Sequence, residues 1–146
     1  MCWGIHWRTS GPGAIDDWAW ASQVAAYVAA RPNRAKYVLG FGMYGFDWPS
    51  GGGTSHPATP LEWDDVHSLL AQTGAQVVYD ATQRAPHFSY TDGSGTPHDV
   101  WFTDAQSLGE RIGLAHSTGV GIGLWRLGVE DQSLWNDPLI GAGAAW

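Results

Sequence analysis

The chain has 146 residues, 44% of them apolar and 14% charged, with a formal charge of −7. That length suits one domain with a real core, and that apolar content excludes a disordered chain. Seven basic residues without a Lys or Arg run exclude a nucleic-acid partner, no apolar run reaches the roughly 20 residues of a membrane helix, and a single cysteine, Cys2, excludes an internal disulfide.

Residues 1–7 are short, apolar and aromatic, the pattern of a strand, and the Gly and Pro content of 8–13 marks a loop. A helix is predicted over about 16–30. Asp16 or Asp17 can cap it, Trp20, Val24, Tyr27 and Val28 form its apolar stripe, and Pro32 lies just past its end. Residues 36–44 are nearly continuous in apolar or small side chains, as expected of a parallel strand buried on both faces. A long loop rich in Gly, Ser and Pro is predicted over 45–58. The next helix opens on Thr59-Pro-Leu-Glu62, with Thr59 as the cap, Pro60 at the first helical position and Glu62 closing a capping box. Its buried stripe is Trp63, Val66, Leu69 and Leu70, and Gly74 stops it.

Val-Val-Tyr marks a strand at 75–80. Alternating runs on either side of Asp92-Gly-Ser-Gly95 predict a hairpin. A second capping box, Thr103-Asp-Ala-Gln106, opens a helix through Leu108, Ile112 and Ala115, and 119–125 reads as a Gly-rich buried strand. From Glu130 onward the pattern weakens. No internal repeat and no linker divides the chain.

The order is strand, helix, strand, helix, small β insertion at about 75–104, helix, strand. That is α/β winding with parallel principal strands. In such folds ligands bind at the carboxyl ends of the strands. Trp3, Trp7, Tyr44, Trp48 and Trp125 all fall at predicted strand ends, which explains why the stretch Tyr44-Gly-Phe-Asp-Trp48 follows a core strand: its aromatics stand at the mouth of a pocket. The ten Trp agree with that reading. A flat ring with one polar edge suits a sugar, although a core-filling Trp fits the composition equally well.

Several segments stand in a telling order and spacing. They are Met1-Cys-Trp-Gly-Ile-His-Trp followed by Gly11-Pro-Gly13, Leu39-Gly-Phe-Gly-Met-Tyr-Gly-Phe-Asp-Trp48, Val78-Tyr-Asp80, Pro86-His-Phe-Ser-Tyr90, His98-Asp-Val-Trp-Phe-Thr-Asp104 and Gly121-Ile-Gly-Leu-Trp-Arg-Leu-Gly128. Together they resemble the C-terminal part of a glycoside hydrolase family 18 barrel of the spore-cortex and cell-wall lysing type. The resemblance implies a partial eight-stranded (β/α) TIM barrel in which residues 1–146 are a single fragment, holding about strands six to eight with a hairpin insertion between strands seven and eight. It also implies action on β-linked N-acetylglucosamine polymers, chitin or peptidoglycan, and an extracellular or wall-associated setting.

The family's mechanism is substrate-assisted: a Glu closing an Asp-x-x-Asp-x-Glu motif protonates the leaving oxygen, and the substrate's acetamido oxygen attacks the anomeric carbon. This chain lacks that motif. Its glutamates are Glu62, which fits a helix cap, Glu110 on a helix face, and Glu130 beyond the last strand. The family's sixth-strand Tyr-Asp pair, which holds the acetamido group, is replaced by Trp3-Gly4. The expectation is therefore a substrate-binding portion without a catalytic residue, inactive alone. A non-catalytic carbohydrate-binding module and a decayed gene fragment are the alternatives.

By the resemblance, Trp125 floors the subsite of the reacting sugar, Tyr44 lines the cleft, and Met1 and Trp3 occupy substrate-contacting positions. Asp47 can bond sugar hydroxyls or serve a turn, and Trp48 can extend the platform or pin the Gly-rich loop. His6 and Trp7 are read as structural. His6, Asp47 and His98 could only on paper form a metal site, because no ligand spacing supports one, and Cys2 is read as an ordinary buried thiol. No cofactor is expected. Three strands cannot close a ring, so an open sheet edge and self-association are expected as well.

Overall fold

The computed structural model describes residues 4–136 and 138–141. Its elements in chain order are α1 (Trp18–Ala29), β1 (Val38–Gly42), β2 (Gly45–Pro49), β3 (Thr59–Leu61), α2 (Trp63–Thr73), β4 (Val78–Asp80), β5 (Ala85–Thr91), β6 (Pro97–Phe102), α3 (Ala105–Thr118), β7 (Gly121–Trp125) and a short α4 (Pro138–Gly141). Single 3-10 turns lie at Arg34–Lys36 and Gln132–Asn136.

The strands form two sheets, neither closed on itself. β1 and β7 pair in parallel, with Gly42 opposite Trp125 at their carboxyl ends. Leu39, Phe41 and Met43 bury one face of β1 against Ala21, Ala25 and Val28 of α1 and Leu108, Ile112 and Ala115 of α3. Alternation turns Val38, Gly40 and Gly42 to the other face, where they meet Gly121 and Gly123 across the pair and Val38 stays exposed. The second sheet is antiparallel, in the order β3-β2-β6-β5-β4. α2 covers it through Val66, packed with Leu61, Phe88, Val100 and Phe102.

Several expectations shift by a few residues, each for a local reason. The predicted loop at 45–58 begins with a true strand, β2, because Phe46 and Trp48 alternate with Gly45 and Asp47 and pair with β6. Thr59 and Pro60 do not start a helix. They belong to β3, paired with β2, and the cap moves to Glu62. The Glu62 carboxylate accepts from the Asp65 backbone N–H, while Asp65 Oδ2 accepts from Glu62 N at 2.9 Å. At α3 the cap is likewise Asp104 rather than Thr103, reciprocated by Ser107. The strand expected at 75–80 shortens to β4 and joins the antiparallel sheet. Of the first expected strand, Gly4 to Trp7 carry no strand, and Met1, Cys2 and Trp3 lie outside the described residues.

Other signals hold. Asp17 caps α1, accepting from Trp20 N at 2.7 Å. Gly74 ends α2 in the left-handed region, at φ 68°, where a side chain is costly. Asp92 ties the hairpin turn, accepting from Ser94 N, Thr96 N and the Ser94 hydroxyl.

One buried cation joins the two halves. Arg111 of α3 is 2% exposed. Its Nε donates to Asp16 O at 3.0 Å and its Nη1 to Arg84 O at 2.8 Å and Ser107 O at 2.9 Å. Its Nη2 donates to Gln83 O at 3.3 Å and also to Asp16 O. The approach to α1, the β4–β5 turn and α3 are thus fastened at one guanidinium.

Candidate functional site

β1 and β7 end side by side, and the chain leaves both in the same place. Met43 N donates to Trp125 O at 2.6 Å, which continues the pairing one residue beyond Gly42. Tyr44 follows, then β2 turns away into the second sheet. After β7, Arg126 and the turn at 127–130 fold back over the start of α2, where Trp63 N donates to Val129 O at 3.0 Å.

These exits enclose a cleft of about 430 Å³ lined by Tyr44, Phe46, Leu61, Glu62, Asp65, Trp125 and Arg126, closed at its edges by Pro60 and Val129. Tyr44 and Phe46 meet edge to face, with centroids 5.5 Å apart and an interplanar angle of 81°. Trp125, 55% exposed, forms part of the lining. Arg126 Nη2 donates to Glu62 Oε1 across the rim. The cleft therefore offers aromatic surfaces plus one guanidinium and two carboxylates, a lining able to stack on a flat ring and bond its hydroxyls. The Tyr44 phenol is pushed up from its ordinary pKa, mainly by burial and further by the negative Asp16 nearby, so it stays a neutral donor at neutral pH.

Of the residues singled out in the sequence, the fold brings Tyr44 and Trp125 together in this cleft. Asp47 is elsewhere. As the next residue along β2 it faces the opposite side of the sheet from Phe46, where Tyr90 OH donates to its Oδ2 at 2.7 Å and His98 Nδ1 lies 2.7 Å from its Oδ1. The His98 and Tyr90 rings stack with centroids 4.6 Å apart, and burial, reinforced by Asp47, raises the Tyr90 pKa. Asp47 thus holds β2, β5 and β6 together. Trp48 is fully buried beside Ile15 and Ala58, edge to face with Phe46 at a centroid separation of 5.3 Å. It supports the cleft wall from behind and does not open onto it. Met1 and Trp3 lie outside the described residues.

His6 Nδ1 lies 3.0 Å from Gly11 O, and its ring packs on Gly13, a loop-bracing role. Among the described residues no three His, Cys, Asp or Glu side chains are grouped to hold a metal ion. Glu110 accepts from Tyr79 OH at 2.7 Å and pairs with Arg84 at 3.1 Å. Glu130 accepts from the Gly128 and Val129 amides and from Trp135 Nε1. Neither reaches the cleft. Sequence reasoning set Phe46 among the aromatics at the pocket mouth without naming it as a contact, and passed over Asp65 and Arg126 as lining residues. The available signal for Phe46 was the period-two run Tyr44-x-Phe46-x-Trp48 inside the stretch read as a loop.

No family model matches the chain. It is 32% identical over 136 residues to a cortical fragment-lytic enzyme of Bacillus anthracis, covering 91% of this chain and 31% of that protein. Among solved structures, the Bacillus cereus spore cortex-lytic enzyme SleL superposes with a TM-score of 0.86 at 30% identity, covering 93% of this chain and 32% of that one. A chitinase from Chromobacterium violaceum gives a TM-score of 0.85 at 29% identity, covering 99% of this chain and 45% of that one. The chain thus spans about a third of the length of the curated relatives it matches.

Proposed function

We infer, from the kinship of this chain with the cortex-lytic and chitinase-like glycoside hydrolases of family 18, that the Tyr44–Trp125 cleft is a glycan subsite. The glycan class is a polymer of β-linked N-acetylglucosamine, chitin or peptidoglycan. In this reading the chain is the substrate-binding C-terminal portion of a family 18 barrel: β1 and β7 stand for barrel strands seven and eight, and β2 to β6 belong to the insertion between them. The role is binding and not cleavage, because the sequence contains no Asp-x-x-Asp-x-Glu segment and every glutamate has another structural role.

The observation that carries the reading is the meeting of Tyr44 and Trp125, remote in sequence, at the shared carboxyl end of β1 and β7 in a cleft of about 430 Å³. Isothermal titration with tetra-N-acetylchitotetraose tests it. Saturable binding that weakens on Trp125→Ala supports the subsite; unchanged affinity in the variant removes it. Turnover of a chromogenic N-acetylglucosamine oligomer by this chain alone would refute the claim of inactivity. An autonomous carbohydrate-binding module remains the second reading and shares the same cleft, whereas a decayed fragment retains no affinity for chitin or peptidoglycan in a pull-down.

Self-association belongs to the same proposal. Among the described residues the parallel sheet has two strands, and it carries exposed Val38 on its glycine-rich face. Open edges of that kind pair with other chains. Sedimentation velocity is expected to give species larger than the 15.8 kDa monomer.

A further inference from the structure

The cleft wall rests on a buried carboxyl group that makes no ion pair among the described residues. Asp16 is 2% exposed. Its Oδ2 accepts from Gly42 N at 2.7 Å, at the last residue of β1. Its Oδ1 is buried without a hydrogen-bond partner among the described residues. The guanidinium of Arg111 is close but bonds the Asp16 backbone carbonyl and leaves the carboxyl alone. Asp17, the neighbouring acid, is turned into the α1 cap.

The same segment underlies Tyr44. A Cβ placed on Gly42 would lie 2.7 Å from the Tyr44 ring and 3.1 Å from Ile15 Cγ2, so ring, glycine and Ile15 form one close-packed step. Gly4 is pressed against the Ile15 carbonyl, leaving no room for a side chain there. Residues 14–17 are thus clamped between Gly4 and the end of β1, all four buried.

We propose that Asp16 is a positioning residue for the cleft, and that the proton on its carboxyl couples the placement of Tyr44, and with it glycan affinity, to pH. This rests on the reading of the cleft as a glycan subsite. With the proton on, the buried group is neutral and the Gly42 bond holds the strand end in place. Once the proton leaves, a carboxylate with one unpaired oxygen sits in an apolar pocket, and the segment relieves that cost by opening toward water. The groups facing it are the Arg111 guanidinium from α3, which favours the charged form, and the Tyr44 phenol from the β1–β2 connection. Burial outweighs Arg111 and the Gly42 bond, which places the change at about pH 7.

Two measurements test this. In the unmodified protein, the Gly42 amide nitrogen and the Tyr44 ring protons are expected to titrate together by NMR with one midpoint near neutrality, and Asp16→Asn is expected to abolish both transitions. Tetra-N-acetylchitotetraose is expected to bind about fivefold or more weakly on the alkaline side of that midpoint, with the pH dependence lost in Asp16→Asn. Gly42 and Tyr44 signals that stay fixed with pH, or that still titrate in the variant, overturn the proposal without any ligand. Binding that is equally tight on both sides of the midpoint overturns the coupling to affinity. Absence of binding at every pH instead overturns the glycan reading, and the two NMR transitions then decide the positioning role separately.

Discussion

Replacing Arg111 with Met tests whether one guanidinium fastens the two halves of the fold. The thioether preserves much of the volume but removes every donor from the carbonyls of Asp16, Gln83, Arg84 and Ser107. Ser107 lies within α3, where its carbonyl also takes a helical bond, so the main loss falls on the other three. A buried acceptor left unpaired costs about 1–3 kcal/mol, and part of that is recovered by relaxation and water entry. Summed over three acceptors and reduced by that relaxation, the expected loss is about 3–5 kcal/mol. For a domain with a total stability of about 5–15 kcal/mol that is a large fraction. Arg111→Lys keeps the charge but not the fork, and is expected to recover less than half of it. Urea denaturation followed by tryptophan fluorescence gives the midpoint shift. A change below about 1 kcal/mol in Arg111→Met would refute the fastening role and point to carbonyls already satisfied by water.

The remaining expectations concern pH, the cleft and the insertion. Burial raises the Asp16 pKa from 3.8 to about 7, so the folded state binds the extra proton between those values. Stability is therefore expected to fall as pH rises through that window, by about 4 kcal/mol in total, and to level off above it; Asp16→Asn flattens the slope, and urea midpoints at acid and alkaline pH check both. Trp125→Ala is expected to weaken chitotetraose binding about tenfold with little change in the urea midpoint, since the indole is half exposed; an equal loss of stability would make it a core residue. Tyr90→Phe removes the phenol that bonds Asp47 and is expected to cost about 1–2 kcal/mol, with loss of a tyrosine that resists ionisation in an alkaline absorbance titration. An unchanged midpoint and an unchanged titration in that variant would mean His98 alone satisfies Asp47.

What the sequence made legible was decided by how local each signal is. The apolar stripe of α3, the left-handed Gly74 and the turn at Asp92 are set by a few adjacent residues, and each lies where the residues predict. The stripe predicted for α1 holds only at Val28 and in part at Val24: Trp20 and Tyr27 are exposed, and the small Ala21 and Ala25 take the core face against β1 and α3 instead. The errors came from pairing partners distant in the chain. Thr59-Pro60-Leu61 carries every mark of a helix start, yet β2 lies alongside and takes its backbone into a ladder, so the helix waits until Glu62. In the same way 45–49 looks like a loop because of its glycine and proline, and becomes a strand because β6 is there to bond it. Local propensity is a weak prior wherever a neighbouring strand can supply the hydrogen bonds instead.

The same division explains the candidate site. Tyr44 and Trp125 come together because parallel pairing puts Gly42 opposite Trp125, so the residues just beyond the two strand ends share one exit. A reader of the sequence who identifies both strands and their direction can reach that pair. Asp47 and Trp48 cannot be placed in this way, because their direction depends on whether 45–49 is loop or strand. In a loop both could line the cleft. In β2 the period of two sends Phe46 and Trp48 to one face and Asp47 to the other, and the partner strand then fixes their roles: Asp47 to Tyr90 and His98, Trp48 into the core behind Phe46. Asp16 shows the limit most clearly. Next to Asp17 it reads as one of two interchangeable caps, and only the arrival of Gly42 and Arg111 from far along the chain turns it into a buried, half-bonded acid beneath the cleft. A residue whose chemistry is made by remote neighbours leaves no local trace, and for that reason Asp16 is also the position at which a single substitution, Asp16→Asn, should remove the response to pH.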